Sequence, residues 1–459
     1  MVENSLQKNQ IIRLSCERLG ADLEGVCRHH GLTVFVPGIL PGETCEARVL
    51  KTHASYAFAK IEQLHQPSPE RRSPFCPVYG RCGGCGGQHM SYPLTLEAKR
   101  QQVFDGLTRI GGLPLAPDDV PPVLASDNPT HCRNKASLPV GGTAQNPVLG
   151  FYRRRSHDLI GLTDCPISLN DLSGVIASVE QWMREQGIAP YNERTHRGFL
   201  RHVVARSNRK GDMLAVLVAT SDTLPAKDAL VRLLARNIQG FKGLHISGNK
   251  AKGNVIFGPK SRKLYGEDAI SETLLGLTFE ITPLSFFQVN PDQTEVLYQT
   301  AIGFAAPSGE DTVVDAYAGA GTLSLCMAKR CKQVIGLEIV PQAVESAVRN
   351  AKNNGIGNAQ FIQAAVEDAL PKLVADGLHP DIVVLDPPRK GVEQAVIDAL
   401  LAARPKRIIY VSCHVPTQAR DIKLLTDGGY RFTACHPVDM FCYAGGVENV
   451  VCLERNEGV

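Results

Sequence analysis

Cys413 is the residue best placed to act as a nucleophile: it follows the apolar run Arg407-Ile408-Ile409-Tyr410-Val411, which reads as a β-strand, in the context Ser412-Cys413-His414. Other reactive or ligand-binding groups fall at the ends of similar runs. Asp315-Ala316-Tyr317-Ala318-Gly319-Ala320-Gly321-Thr322 follows Thr312-Val313-Val314, Glu338 ends Gln333-Val334-Ile335-Gly336-Leu337, and Asp386-Pro387-Pro388-Arg389-Lys390-Gly391 follows Asp381-Ile382-Val383-Val384-Leu385. In an open α/β sheet such ends share one edge, and ligands bind there. The turn carries G-x-G without a third glycine, and an acid stands nineteen residues after Gly319, near the spacing at which a carboxylate meets ribose hydroxyls. That combination fits S-adenosylmethionine better than NAD. A plain strand-to-helix turn would account for the glycines but not for Glu338.

A thiol beside a methyl donor has a specific use. Uracil C5 is a poor nucleophile, and a thiolate adding to C6 converts the ring to an enolate whose C5 can attack a sulfonium methyl group. The adduct must then lose its C5 proton, which needs a base. Glu448, in Gly445-Gly446-Val447-Glu448-Asn449-Val450, is the acid expected to reach the site from the last part of the sheet; its sequence context also suits a surface carboxylate. Arg389 stands where amino-methylating enzymes carry an aromatic residue, which argues against attack by an exocyclic amine. A stacked uridine would have to be flipped out of its RNA.

A second cysteine group is local. Cys76, Cys82 and Cys85 lie within ten residues on a glycine-rich loop, and Cys165 in Asp164-Cys165-Pro166 offers a fourth thiol. Sulfur ligation of this kind means zinc or an iron–sulfur cluster, and the residues alone leave both open. The other nine cysteines stand singly and read as buried apolar residues.

The elements that must position these groups fall into three domains, with expected boundaries 1–66, 67–282 and 283–459. Short strands at Ile12-Arg13-Leu14-Ser15-Cys16, Leu32-Thr33-Val34-Phe35-Val36, Glu43 to Val49 and Ala57 to Ile61 predict a small OB-like β-barrel, closed off by the Pro-rich linker Gln66 to Pro74. A central α+β domain follows, with helices predicted near 92–110, 168–186 and 223–237 and strands at 201–205 and 213–218. The C-terminal alternation of strand and helix predicts a doubly wound parallel sheet.

Net charge is only +3, but its distribution is uneven. Between Arg194 and Lys263 fifteen Lys and Arg face three acids, Asp212, Asp222 and Asp228, an imbalance that favours a polyanion-binding surface over a merely solvated face. No apolar run is long enough to span a membrane, and Met1-Val2-Glu3-Asn4-Ser5 does not begin a secretory signal. The expectation is a cytoplasmic monomer.

Together these residues resemble the bacterial RNA 5-methyluridine methyltransferase family, specifically its 23S ribosomal RNA branch, almost end to end. The resemblance implies a TRAM barrel, matched by Phe35-Val36-Pro37-Gly38-Ile39-Leu40-Pro41-Gly42-Glu43, and a [4Fe–4S] cluster on Cys76, Cys82, Cys85 and Cys165. It implies a donor site at Gln288, in Ser285-Phe286-Phe287-Gln288-Val289-Asn290, with Tyr317, Glu338 and Asp386, a nucleophile at Cys413 and a base at Glu448. The transfer-RNA branch lacks barrel and cluster, so the resemblance implies 23S rRNA as substrate. The chain departs from the pattern after Asp439-Met440-Phe441, where Cys442, Ala444 and Gly446 replace the usual Pro, Thr and His, and at Ala318, where a cysteine is common.

Two other functions are compatible with parts of the pattern. A cytosine-C5 methyltransferase shares the thiolate logic but places a cysteine beside a proline in the loop that here reads Asp386-Pro387-Pro388. An RNA-binding ribosome assembly factor with a decayed catalytic domain would suit the basic segment and the altered loop, but not the joint presence of Cys413, Asp386 and Glu338.

Overall fold

The computed structural model describes residues 6–456; the stretch Met1–Ser5, considered above for a secretory signal, lies outside the described residues. Five strands between Ile11 and Gln66 close into a barrel. The first alternates strictly, with Ile12, Leu14 and Cys16 inward and Ile11, Arg13 and Ser15 outward, as a half-buried strand must. The central domain is built on a seven-stranded mixed sheet, one face of which is covered by the helices Ser173–Gln186 and Lys227–Asn237.

The C-terminal sheet is the expected doubly wound one. Its strands are β1 (Thr312–Asp315), β2 (Gln333–Glu338), β3 (Ala359–Gln363), β4 (Ile382–Leu385), β5 (Arg407–Ser412), β6 (Tyr430–Val438) and β7 (Glu448–Arg455), in the order β3-β2-β1-β4-β5-β7-β6. The first five are parallel, and β7 runs antiparallel to both β5 and β6. All four side chains of β4 are buried, because helices cover both faces of the sheet. Each such aliphatic side chain contributes about 1.5–3 kcal/mol of burial.

Two elements outside the sheet belong to its core. The hairpin Ile270–Leu274 and Leu277–Ile281, which the expected boundary assigns to the central domain, packs Phe279 and its neighbours against the helix Pro291–Ala305. The helix Tyr92–Asp105 packs on the opposite side, where Gly106 lets the chain approach Val415. No helix among the described residues is long and apolar enough to cross a membrane.

Candidate active site

The carboxyl ends of β1, β2, β4 and β5 open onto one cavity of about 630 Å³. Because β7 runs the other way, its first residue, Glu448, arrives at the same edge; Asn449 pairs in register with Ser412. Gln288, Tyr317, Glu338, Asp386, Cys413 and Glu448, drawn from six separate segments, all line this cavity. Its size suits a nucleoside-type ligand.

One half of the cavity is made to hold such a ligand. Gly319 and Gly321 have φ of 55° and 76°, a region that favours glycine. A Cβ on Gly321 would meet the Phe361 ring at 2.8 Å, whereas beside Gly319 the space is open, so a ligand can approach the backbone. The Glu338 carboxylate accepts from the amides of Gly319 at 3.0 Å and Val340 at 2.7 Å, which fixes it at the strand end. Asn134 of the central domain donates to the Gln288 carbonyl at 2.8 Å and holds the Ser285–Val289 segment against the cavity.

The other half holds Cys413 and Glu448. Gln418 donates through one amide to the carbonyls of Tyr410 and Asn449, both at 2.9 Å, and accepts from the Asn449 side chain at 2.9 Å. This staple ties the end of β5 to the start of β7, and so sets Cys413 against Glu448. The Thr417 hydroxyl donates to the Arg389 carbonyl at 3.1 Å and fixes the loop after Asp386 beside them. Burial pushes the Cys413 thiol up, as do the nearby Glu448 and Asp386, while the Arg389 guanidinium, within hydrogen-bonding reach of the sulfur, pulls it down. Burial also raises Asp386 to about 7, with Asp315 adding to it. Glu448, 3 % exposed, is raised well above the usual carboxylate range by burial and then by Asp386, with Arg389 opposing. Its Oε2 has no hydrogen-bond partner among the described residues. Sequence reasoning used Arg389 only to exclude amine chemistry; its guanidinium lies near enough to favour the thiolate, a role that no spacing rule signals.

The altered loop before Glu448 is braced from a distance. Asp439, fully buried, pairs with the ammonium of Lys99 and accepts from the Tyr92 hydroxyl at 2.6 Å, and Lys99 also donates to the Phe441 carbonyl at 2.8 Å. Phe441 lines the active-site cavity. Where the family pattern has histidine, Gly446 lies on the Phe441 ring, and a Cβ there would meet it at 3.0 Å. Cys442 is buried against Cys132 and Ile167.

The metal expectation meets a different geometry. Among the described residues no three of His, Cys, Asp and Glu converge closely enough to hold a metal ion. A preformed ligand set on Cys76, Cys82, Cys85 and Cys165 is therefore not observed; the four thiols instead line a second cavity, of about 400 Å³. Burial raises Cys82 and Cys165 and pushes Cys85 to about 12, which opposes the thiolate form that metal ligation needs.

Residues 255–456 match the tRNA (Uracil-5-)-methyltransferase family, and residues 6–61 match the TRAM domain. An uncharacterised RNA methyltransferase of Halalkalibacterium halodurans is 41% identical over 450 residues, 98% of each chain. Another, of Listeria monocytogenes, is 41% identical over 457 residues, 99% of this chain and 100% of that one. Among solved structures, the tRNA (uracil-54, C5)-methyltransferase of Pyrococcus abyssi, in complex with S-adenosyl-L-homocysteine, matches with a TM-score of 0.76 at 27% identity, over 96% of this chain and 100% of that one.

Proposed function

The chain belongs to the RNA (uracil-5-)-methyltransferases, which use S-adenosylmethionine, and from that premise we propose that it methylates C5 of a specific uridine in 23S rRNA through a covalent Cys413 adduct. The observation that carries the reading is the meeting of Cys413 and Glu448 at adjacent strand ends in the cavity that also holds Gln288, Tyr317, Glu338 and Asp386. S-adenosylmethionine supplies an electrophilic methyl group. Glu338 is the group to hold its ribose, and Tyr317, Gln288 and Asp386 line the rest of its place. The Cys413 thiolate, favoured by Arg389, adds to C6 of the flipped uracil; C5 takes the methyl group; Glu448 removes the C5 proton, and the sulfur leaves.

The choice of 23S rRNA rests on the four thiols, which the sequence resemblance ties to the ribosomal branch; the barrel does not separate the substrates, because the Pyrococcus abyssi enzyme matches 96% of this chain. In this reading Cys76, Cys82, Cys85 and Cys165 hold a [4Fe–4S] cluster that orders the loop around it and the surface it offers to RNA. The Pyrococcus abyssi relative acts on transfer RNA, so tRNA is the competing substrate. The enzyme works as a cytoplasmic monomer.

The test is mass spectrometry of 23S rRNA and tRNA from cells with the gene, without it, and with a Cys413→Ala copy. Loss of 5-methyluridine at one 23S site, restored by the wild-type copy and not by Cys413→Ala, is expected, with activity of the variant reduced at least about 10³-fold in vitro. Loss confined to tRNA would reject the ribosomal assignment; no loss anywhere would favour an RNA-binding assembly factor.

A further inference from the structure

The wall between the two cavities carries positive charge that the protein does not neutralise. Lys135 and Arg206 are direct partners on neighbouring strands of the central sheet, Lys135–Gly142 and Leu200–Ser207. The charged groups close enough to act on Lys135 are Arg206 and Arg133, both cations, and its ammonium lies over the Phe257 ring, 5.4 Å from the centroid. Arg206 is only 3 % exposed, and its Nε has no hydrogen-bond partner. Its other end donates to the carbonyl of Ser285, the residue before the Phe286–Val289 segment that lines the active-site cavity. Lys135, Arg133 and Val289 line the thiol cavity, and Val289 borders both.

Burying like charges together without a counter-charge is costly, so such a group is accounted for by an anion that arrives from outside. Two anions are conceivable, the thiolate cluster and the RNA backbone. The backbone fits the wider pattern, because the positive surface continues outward from Phe257 along its own loop, through Lys250, Lys252 and Lys260, all exposed and without an ion-pair partner among the described residues. Counter-ions to a buried cluster have no need of that extension, whereas a strand of RNA crossing the surface does.

We propose that this wall is a phosphate seat: Lys135, flanked by Arg133 and backed by Arg206, binds a backbone phosphate beside the nucleotide whose base enters the catalytic cavity. The inference rests on the RNA reading above and adds to it a location for the strand. Arg206 holds both the unpaired charge and the Ser285 carbonyl, so the phosphate contact is mechanically joined to the segment that walls the methyl-donor site.

The experiment measures binding of a fluorescently labelled, uridine-containing single-stranded RNA to the intact, metal-loaded protein over a series of KCl concentrations, for wild type, Lys135→Met and Lys135→Arg. Melting temperature and iron content are measured on each. Lys135→Met is expected to bind several-fold more weakly, equally for different sequences, and to lower the slope of log affinity against log salt by about 0.7, the contribution of one phosphate to single-strand binding. Lys135→Arg, which keeps the charge, should restore both. An unchanged slope in Lys135→Met while wild type binds would overturn the seat and leave the RNA reading intact; loss of iron with that unchanged slope would reassign these cations to the thiolate cluster. Absence of salt-dependent binding by wild type would overturn the RNA reading and the seat together.

Discussion

The two cavities share a wall residue, Val289, yet they are built on opposite plans. In the active site every reacting group hangs from a strand end whose position is set by the register of the sheet: Asp315 against Val384, Ser412 against Asn449. In the thiol cavity three of the four cysteines sit on a loop without regular strands, between Glu70 and Ser91, and the fourth follows the short strand Leu159–Gly161. A site that must act on a base that visits and departs has to be in place beforehand. In the cluster reading proposed above, ligation supplies free energy that would order this loop.

That contrast can be broken at its strongest point first. Glu448→Gln should lower turnover by about 10²–10⁴-fold, the usual worth of a positioned base, while the covalent adduct with RNA accumulates and becomes visible as a shifted band under denaturing conditions. A variant that neither turned over nor accumulated adduct would mean that Glu448 acts before the addition step, as part of the scaffold. On the cluster reading proposed above, Cys85→Ser should empty the thiol cavity of iron while S-adenosyl-L-homocysteine binds with unchanged affinity by calorimetry, because Gln288, Tyr317, Glu338 and Asp386 all lie off that loop. Parallel loss of both would show the two cavities to be one cooperative unit.

The smallest effect concerns pH. Cys413 is raised by burial and by two carboxylates, and Arg389 opposes them, so the thiolate fraction grows with pH and is larger with the guanidinium present. In Arg389→Met the rising limb of the rate against pH should move to higher pH. A limb that stayed in place would mean that Arg389 contributes contact with RNA and not thiolate stabilisation.

Much of the active site was legible because strand ends are announced by apolar runs followed by glycine, proline or an acid. The runs before Asp315, Glu338, Asp386 and Cys413 are fully apolar or nearly so, and that pattern fixes the sheet edge on which the four residues meet. Other elements gave weaker signals. Strand β3, Ala359–Gln363, is an edge strand with half-exposed residues and polar ends, so neither alternation nor an apolar run marks it. The central sheet was anticipated at only two of its strands, Leu200–Ser207 and Met213–Ala219. Two others, Lys135–Gly142 and Phe241–Gly248, contain glycines and cations that depress strand propensity and are carried by tertiary packing. Gln288 came from family resemblance alone, Glu448 was expected as an acid on the last part of the sheet, and Arg389 was read for what it excludes. The thiols were found by spacing, which does not fix where they lie relative to one another in the fold.

The contact between Lys99 and Asp439 also bears on how the molecule comes into being. The two residues lie 340 positions apart, and the pair anchors the last loop before β7 to a helix made near the beginning of the chain. During synthesis that early helix must wait, with a buried-type ammonium and an apolar face unsatisfied, until nearly the whole polypeptide has left the ribosome. Long-range closure of this kind slows folding, because chain entropy is spent before the contact repays it. A truncated product ending before Asp439 would thus lose Glu448 and the partner of Lys99 at once, so such incomplete chains are marked by a buried charge with nothing to meet it, a feature that quality-control proteases can read as exposed, poorly packed structure.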